Sequence, residues 1–312
     1  MTLLQLTYAV ALDRHGHFGR AAEACHVTQP ALSAGLQKLE AELGVVLFDR
    51  AAHPIEPTEV GRAVVAQARQ VLAEAERLED LVSEATGELA GELRVGILST
   101  LAPYLIPLVI GPFARRYPGV ELVFEELVAE TISDHVRRDL LDAGLVATPP
   151  TVRGVEEVPL FEEPLVGYVA PGHRLYDQDA IGVEDLSPDD VWVMREGHCF
   201  RDQALDLLAR GAAGRPDAKA VQFESGNLET LQRIVDRGYG MTLLPWLAVQ
   251  GQGSHAPASV RPFRAPAPSR TVRLVYAATL VRRQLVRAFA AEVARAAAAD
   301  LPEGAVLYAP EG

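Results

Sequence analysis

The chain has 312 residues, 49% of them hydrophobic, and a formal net charge of −13. That length exceeds one ordinary core, so two or more domains are expected, and the acidic balance excludes a protein coated in nucleic-acid-binding charge without excluding a local DNA-reading surface. Cys25 and Cys199 are the only cysteines, too few for a disulfide framework, and no apolar run approaches the roughly 18 residues of a membrane span. The N-terminal segment "LLQLTYAVALDRHGHF" is cut by Gln5, Thr7 and Asp13 and does not read as a leader peptide, so a soluble cytoplasmic protein with no membrane partner is expected.

Residues 1–62 read as a compact helical domain. Leu3, Leu6, Tyr8, Val10 and Leu12 predict a first helix, and "FGRAAEACHV" a short second one. Thr28 is placed as the N-cap of a third, with Pro30 tolerated in the first turn because its missing N–H would have had no partner there. Leu32, Leu36, Leu39 and Leu43 stripe that helix on one face, and two helices joined across "HVT" make a helix-turn-helix. "VVLFDRAAHPIEPTEVG" suits a short β-wing. Between residues 63 and 90 runs a linker helix whose Val64, Ala68, Val71, Ala75, Leu78, Val82 and Ala85 alternate in steps of four and three. This is the seam of a dimerisation helix, or the face of a helix lying on its own domain.

Beyond residue 90 strands and helices alternate, which implies a parallel sheet covered by helices. "LRVGIL", "VELVFEEL", "LVAT", "PLVGYVA", "VWVMR", "AVQFES", "MTLLP" and "TVRLVYAA" read as strands. Two α/β lobes joined by two crossings are expected, lobe I from 91–165 with 267–300 and lobe II from 166–266, with a cleft between them and a loose tail over 301–312.

"FGRAAEACHVTQPALSAGLQKLEAELGVVLFDR" resembles the winged helix-turn-helix of LysR-type transcriptional regulators, and "GHCFRDQA" resembles the peroxide-sensing cysteine motif of the OxyR branch of that family. "TLAPYLIP", "VEEVPLFEEPL", "LETLQRIV", "GYGMTLLP" and "RTVRLVY" extend the likeness through essentially the whole chain. The resemblance implies a multidomain protein: an all-α winged helix-turn-helix domain, a long linker helix, and a two-lobed α/β regulatory domain like that of periplasmic solute-binding proteins. It implies no enzyme activity and no cofactor. Its implied partners are promoter double-stranded DNA, further copies of the chain in a dimer and tetramer, RNA polymerase, and hydrogen peroxide as the signal. Thr28, Gln29, Pro30, Ser33 and Gln37 would face the major groove, where glutamine can bond adenine bidentately. Arg14, Arg20, Lys38, Arg50 and Arg62 are the available phosphate partners, although residues 1–62 hold five Lys/Arg against seven Asp/Glu.

Cys199 stands where a strand gives way to a helix, near unpaired N–H groups and a positive dipole end that favour thiolate over thiol. His198 and Arg201 are expected to add positive charge and Asp202 to cap the first turn, an environment that makes a cysteine reactive toward peroxide. A packed thiol is the alternative. The resemblance adds Thr100 and Arg270 as residues near the thiol, Thr100 otherwise a helix N-cap and Arg270 otherwise a surface charge. It places Ala129 where relatives often have a second threonine, and Leu208 where two-cysteine relatives have the resolving thiol. Cys25 reads as core packing, so oxidation is expected to give, rather than an internal disulfide, a sulfenic acid that could persist, take a small-thiol cap or overoxidise. His15, His17, Cys25, His26 and His53 show no metal-ligand spacing. Two other functions compete: a thiol peroxidase built on Cys199, which leaves the DNA-binding end without a purpose, and a regulator that binds a metabolite between the lobes.

Overall fold

The computed structural model describes residues 1–308 except 87–88, 190, 196–197, 212–226, 251–258, 279 and 281–282. Helices α1 (Leu3–His15), α2 (Phe18–Ala24) and α3 (Gln29–Leu43) are followed by a two-stranded antiparallel wing, β1 (Phe48–Asp49) with β2 (Glu56–Pro57). Thr2 and Gln5 cap the start of α1 reciprocally, and the His17 imidazole accepts from Gly19 and Arg20 N–H at the start of α2, so the helix ends find side-chain partners. Leu12, Ala21, Leu32, Leu36, Leu39 and Leu47 meet in the core beneath them.

The linker helix α4 (Glu59–Thr86) divides into two stretches. Its first turns lie on their own domain, with Val65 and Ala68 buried against the core that α1 supplies. Farther along, Val71 and Leu78 are exposed, leaving part of the expected seam open to another chain. The side chains of Val82 and Ala85 lie outside the described residues.

The regulatory part contains β3 (Ala90–Leu98), α5 (Ala102–Arg116), β4 (Gly119–Leu127), α6 (Ala129–Arg137), β5 (Ala143–Val146) and β6 (Val155–Val169). It continues with β7 (Val191–Trp192), α7 (Cys199–Gly211), α8 (Leu228–Asp236), β8 (Met241–Pro245), β9 (Val260–Pro262), β10 (Ser269–Ala277) and α9 (Arg283–Ala298). The strand order is β4-β3-β5-β10-β6-β8-β7, with β9 also on β6. One strand therefore serves both lobes: β6 pairs with β10 as far as Pro164, then with β8 and β9 from Leu165 onward. Ile132 of α6 sits directly on the lobe I sheet, and a Cβ on Gly144 would stand 2.1 Å from its methyl group.

Three expectations change. The sheet is mixed rather than parallel, because β10 returns from lobe II and runs antiparallel to both β5 and β6. The strand predicted at 164–170 begins at Val155, since its first half is an edge that only β10 and the tail reveal. The tail is docked rather than loose as far as Tyr308: Val306 C=O accepts from Glu162 N–H and Tyr308 N–H donates to Leu160 C=O, both at 2.9 Å. The predicted strand "AVQFES" lies outside the described residues.

Gly61, in the first turn of α4, has no room for a side chain: a Cβ there would stand 1.9 Å from the Leu47 carbonyl oxygen. Gly61→Ala should therefore destabilise the DNA-binding domain by about 1–3 kcal/mol through forced backbone movement. Urea unfolding followed by circular dichroism measures it, and an unchanged midpoint would contradict the contact.

Candidate functional site

At the DNA-binding end, α3 presents exposed Gln29, Pro30, Gln37 and Lys38 and half-buried Ser33 on one accessible side of the domain. Thr28 occupies the N-cap by backbone conformation, yet its hydroxyl makes no capping bond and is exposed. Arg20 is also exposed, and Arg50 is tied to Glu40 at 2.7 Å with its guanidinium over the Phe18 ring. Arg14 is placed elsewhere. Its Nε donates to the Arg138 carbonyl at 3.0 Å, and Arg138 Nη2 donates back to the Arg14 carbonyl at 2.9 Å. Arg69 bridges the same contact, pairing with Asp13 at 2.8 Å and Asp139 at 3.2 Å. Arg14 thus joins the DNA-binding domain to the end of α6 in lobe I, and burial lowers its pKa.

At the cleft, α7 begins at Cys199, so the residue does stand at a helix start; its side chain lies outside the described residues. Arg201 reaches back to the Met194 carbonyl at 3.1 Å, and Asp202 lies exposed in the first turn. His198 does not supply the expected positive charge. Partial burial, with Arg195 beside it as the second cause, holds its pKa below the ordinary value of 6.5, and its Nε2 accepts from Arg195 at 3.4 Å. A ring that accepts there is neutral.

Thr100 and Arg270 are brought together. Thr100 is 2% exposed and Arg270 3%, so Arg270 is no surface charge, and the N-cap of α5 is Leu101 rather than Thr100. Arg270 donates to Thr100 Oγ1 at 3.4 Å and to its carbonyl at 3.2 Å. The guanidinium lies over the Phe200 ring, 5.3 Å from its centre, so it touches the residue that follows Cys199. Thr100, Ala129 and His198 line a cavity with about 10 Å³ of space for the centre of a water-sized molecule. That is room for about one such molecule.

Leu208 is 5% exposed within the lobe II core, among Leu207, Phe200 and Leu243. Cys25 is a free thiol, half-buried at the end of α2, where burial raises its pKa. Sequence reasoning missed Glu163, Tyr104, Phe200 and Gln203. Glu163 has no exposed surface and pairs with Arg270 at 2.9 Å; Gln203 reaches from α7 to the Ala147 carbonyl of lobe I at 3.3 Å. The available hint was the acid run "FEEP" placed opposite an arginine in the returning strand, a cross-strand pair that only register reveals.

Residues 3–62 match the bacterial regulatory helix-turn-helix protein, LysR family, and residues 86–298 match the LysR substrate binding domain. The chain belongs to the LysR family. Within it, the relatives are peroxide regulators. It is 35% identical over 276 residues to a hydrogen peroxide-inducible genes activator of Dickeya chrysanthemi, covering 88% of this chain and 89% of that one. Full-length OxyR of Pseudomonas aeruginosa, with aspartate in place of a cysteine, superposes with a TM-score of 0.75 at 37% identity over 94% of each chain. A cysteine variant of Corynebacterium glutamicum OxyR with hydrogen peroxide bound superposes with a TM-score of 0.64 at 28% identity, covering 96% of this chain and 93% of that one. This LysR-family chain is accordingly a DNA-binding transcription regulator of the OxyR type, a family of regulators rather than enzymes. No described helix is long and apolar enough to cross a membrane.

The His198 environment gives a pH test. A histidine whose folded pKa lies below its unfolded value leaves stability intact above about pH 6.5 and opposes folding as the pH falls below it. Lowering the pH from about 7.5 to about 5.5 should therefore lower the urea midpoint, and His198→Gln should reduce that drop. Equal drops in both proteins would show that His198 is not held neutral.

Proposed function

We propose that this regulator senses hydrogen peroxide by oxidation of Cys199 to a sulfenic acid and so changes its hold on promoter DNA. In that step the thiolate sulfur attacks one peroxide oxygen, an S–O bond forms as the O–O bond breaks, and the leaving hydroxide takes a proton to become water. Sulfur is oxidised by two electrons and peroxide reduced by two. The observation that carries the reading is the small polar cavity lined by Thr100, Ala129 and His198 beside the start of α7: at the scale of a single water it is near the size of peroxide and far too small for a metabolite. A larger cavity, about 570 Å³ among Tyr276, Arg283 and Tyr308, is lined by lobe I and the tail.

The thiolate is favoured by the helix start and by the buried cation Arg270 held close to it through Phe200, without a charge on His198. Leu208 in the lobe II core and half-buried Cys25 in the DNA-binding domain support sulfenic acid over an internal disulfide. Oxidation at the first residue of α7 disturbs the packing of Phe200, and with it the contact between lobes. On the DNA side, α3 is the reading helix, with Thr28, Gln29, Pro30, Ser33 and Gln37 toward bases and Arg20, Lys38 and Arg50 toward phosphates. The working form is a cytoplasmic tetramer built from two dimers that acts on RNA polymerase from an extended promoter site.

Promoter footprinting with and without peroxide tests this. Wild type should change its footprint on peroxide treatment, Cys199→Ser should bind DNA and fail to change, and Cys25→Ser should behave as wild type. A Cys199→Ser footprint that still responds to peroxide would sink the reading.

A further inference from the structure

The carboxylate that determines where Arg270 stands has no role in the account so far. We propose that Glu163 is a positioning residue of the peroxide response: at the point where β6 leaves lobe I, it fixes Arg270 between Thr100 at the peroxide-sized cavity and Phe200 at the start of the sensing helix. This deepens the function proposed above and rests on it.

Both charged side chains have no exposed surface, a placement tolerated only when the ions are paired and their remaining donors and acceptors satisfied. Here both conditions are met. Glu163 Oε2 accepts from Arg270 Nε at 3.0 Å, from Arg270 Nη2 at 2.9 Å and from the Tyr104 hydroxyl at 3.1 Å. Glu163 Oε1 accepts from the Leu247 backbone N–H at 3.0 Å. Burial raises the Tyr104 pKa well above its ordinary value, so the phenol stays a donor. One carboxylate therefore joins β6, β10, the first turn of α5 and the segment after β8.

Two bonds to a planar guanidinium fix its orientation as well as its position. With Nε and Nη2 turned to Glu163, Nη1 points at Thr100 Oγ1 and the flat face meets Phe200. Thr100 and Tyr104 are weaker guides to that orientation: the Thr100 contacts are longer, at 3.2 and 3.4 Å, and the Tyr104 hydroxyl that accepts from Nη2 is itself held by donating to Glu163. The peroxide cavity and the sensing helix belong to different lobes, so their spacing depends on how Arg270 is held.

The test is the rate of Cys199 oxidation by hydrogen peroxide in the full chain, beside its rate of alkylation by iodoacetamide. Glu163→Gln should slow oxidation by about tenfold or more, as a misplacement of about 1 Å does in other sites, while alkylation changes far less. Glu163→Asp, which keeps the charge but shortens the reach, should also be slow. The double variant Glu163→Gln with Arg270→Gln, set beside Arg270→Gln alone, separates the roles: if Glu163 acts by placing Arg270 the two are equally slow, whereas a double variant slower than Arg270→Gln shows an independent role and overturns positioning. A wild-type peroxide rate in any of these folded variants, or an equal loss of oxidation and alkylation, overturns the proposal. Wild-type Cys199 that ignores peroxide would overturn the proposed function itself, and this inference with it.

Discussion

A guanidinium and a carboxylate, both removed from water, lie where the two lobes meet, and much of the regulatory domain is arranged to make that tolerable. The desolvation cost of such a pair is several kcal/mol per ion unless every remaining lone pair and proton finds a partner. Arg270 and Glu163 find theirs in Thr100, Tyr104 and the Leu247 N–H, drawn from segments far apart in the chain. The pair is consequently a constraint on assembly: β6 and β10 must be in register, α5 must start where it does, and lobe II must be closed against lobe I for the charges to be satisfied together.

The same contact sets what the described residues leave open near the sensing helix. The guanidinium lies over the Phe200 ring, and a small cavity remains at Thr100 and Ala129. The alanine contributes a methyl group and no hydroxyl to that cavity, so polar contacts from its described lining come from Ser99, Thr100, His198 and backbone.

Local pattern carried most of the elements. The leucine stripe of α3 and the apolar strands of lobe I are short-range signals and were readable. Thr100 and Arg270 were reached by resemblance, and the structure brings them together at 3.4 Å. What could not be read depends on register or on contacts distant in sequence. Glu163 faces Arg270 only because β10 pairs antiparallel with β6, and the tail pairs with β6 only because that edge is open at Leu160 and Glu162. Likewise Arg14 had the look of a phosphate contact until lobe I supplied the Arg138 carbonyl. His198 was misjudged for a related reason, since its protonation depends on Arg195 and burial rather than on its place beside Cys199.

The diversion of Arg14 also bears on how ionic strength acts. Of the five cations in residues 1–62, Arg14 is held against lobe I, while Arg20, Lys38, Arg50 and Arg62 are exposed, Arg50 shared with Glu40 and Arg62 with the Pro57 carbonyl. Each phosphate neutralised releases roughly one condensed counterion from duplex DNA, and that release gives binding its salt dependence. A single domain with so few cations to offer has little such entropy to gain. Steep sensitivity to salt, where it is observed, must therefore belong to the number of domains laid side by side on the duplex and not to any one of them.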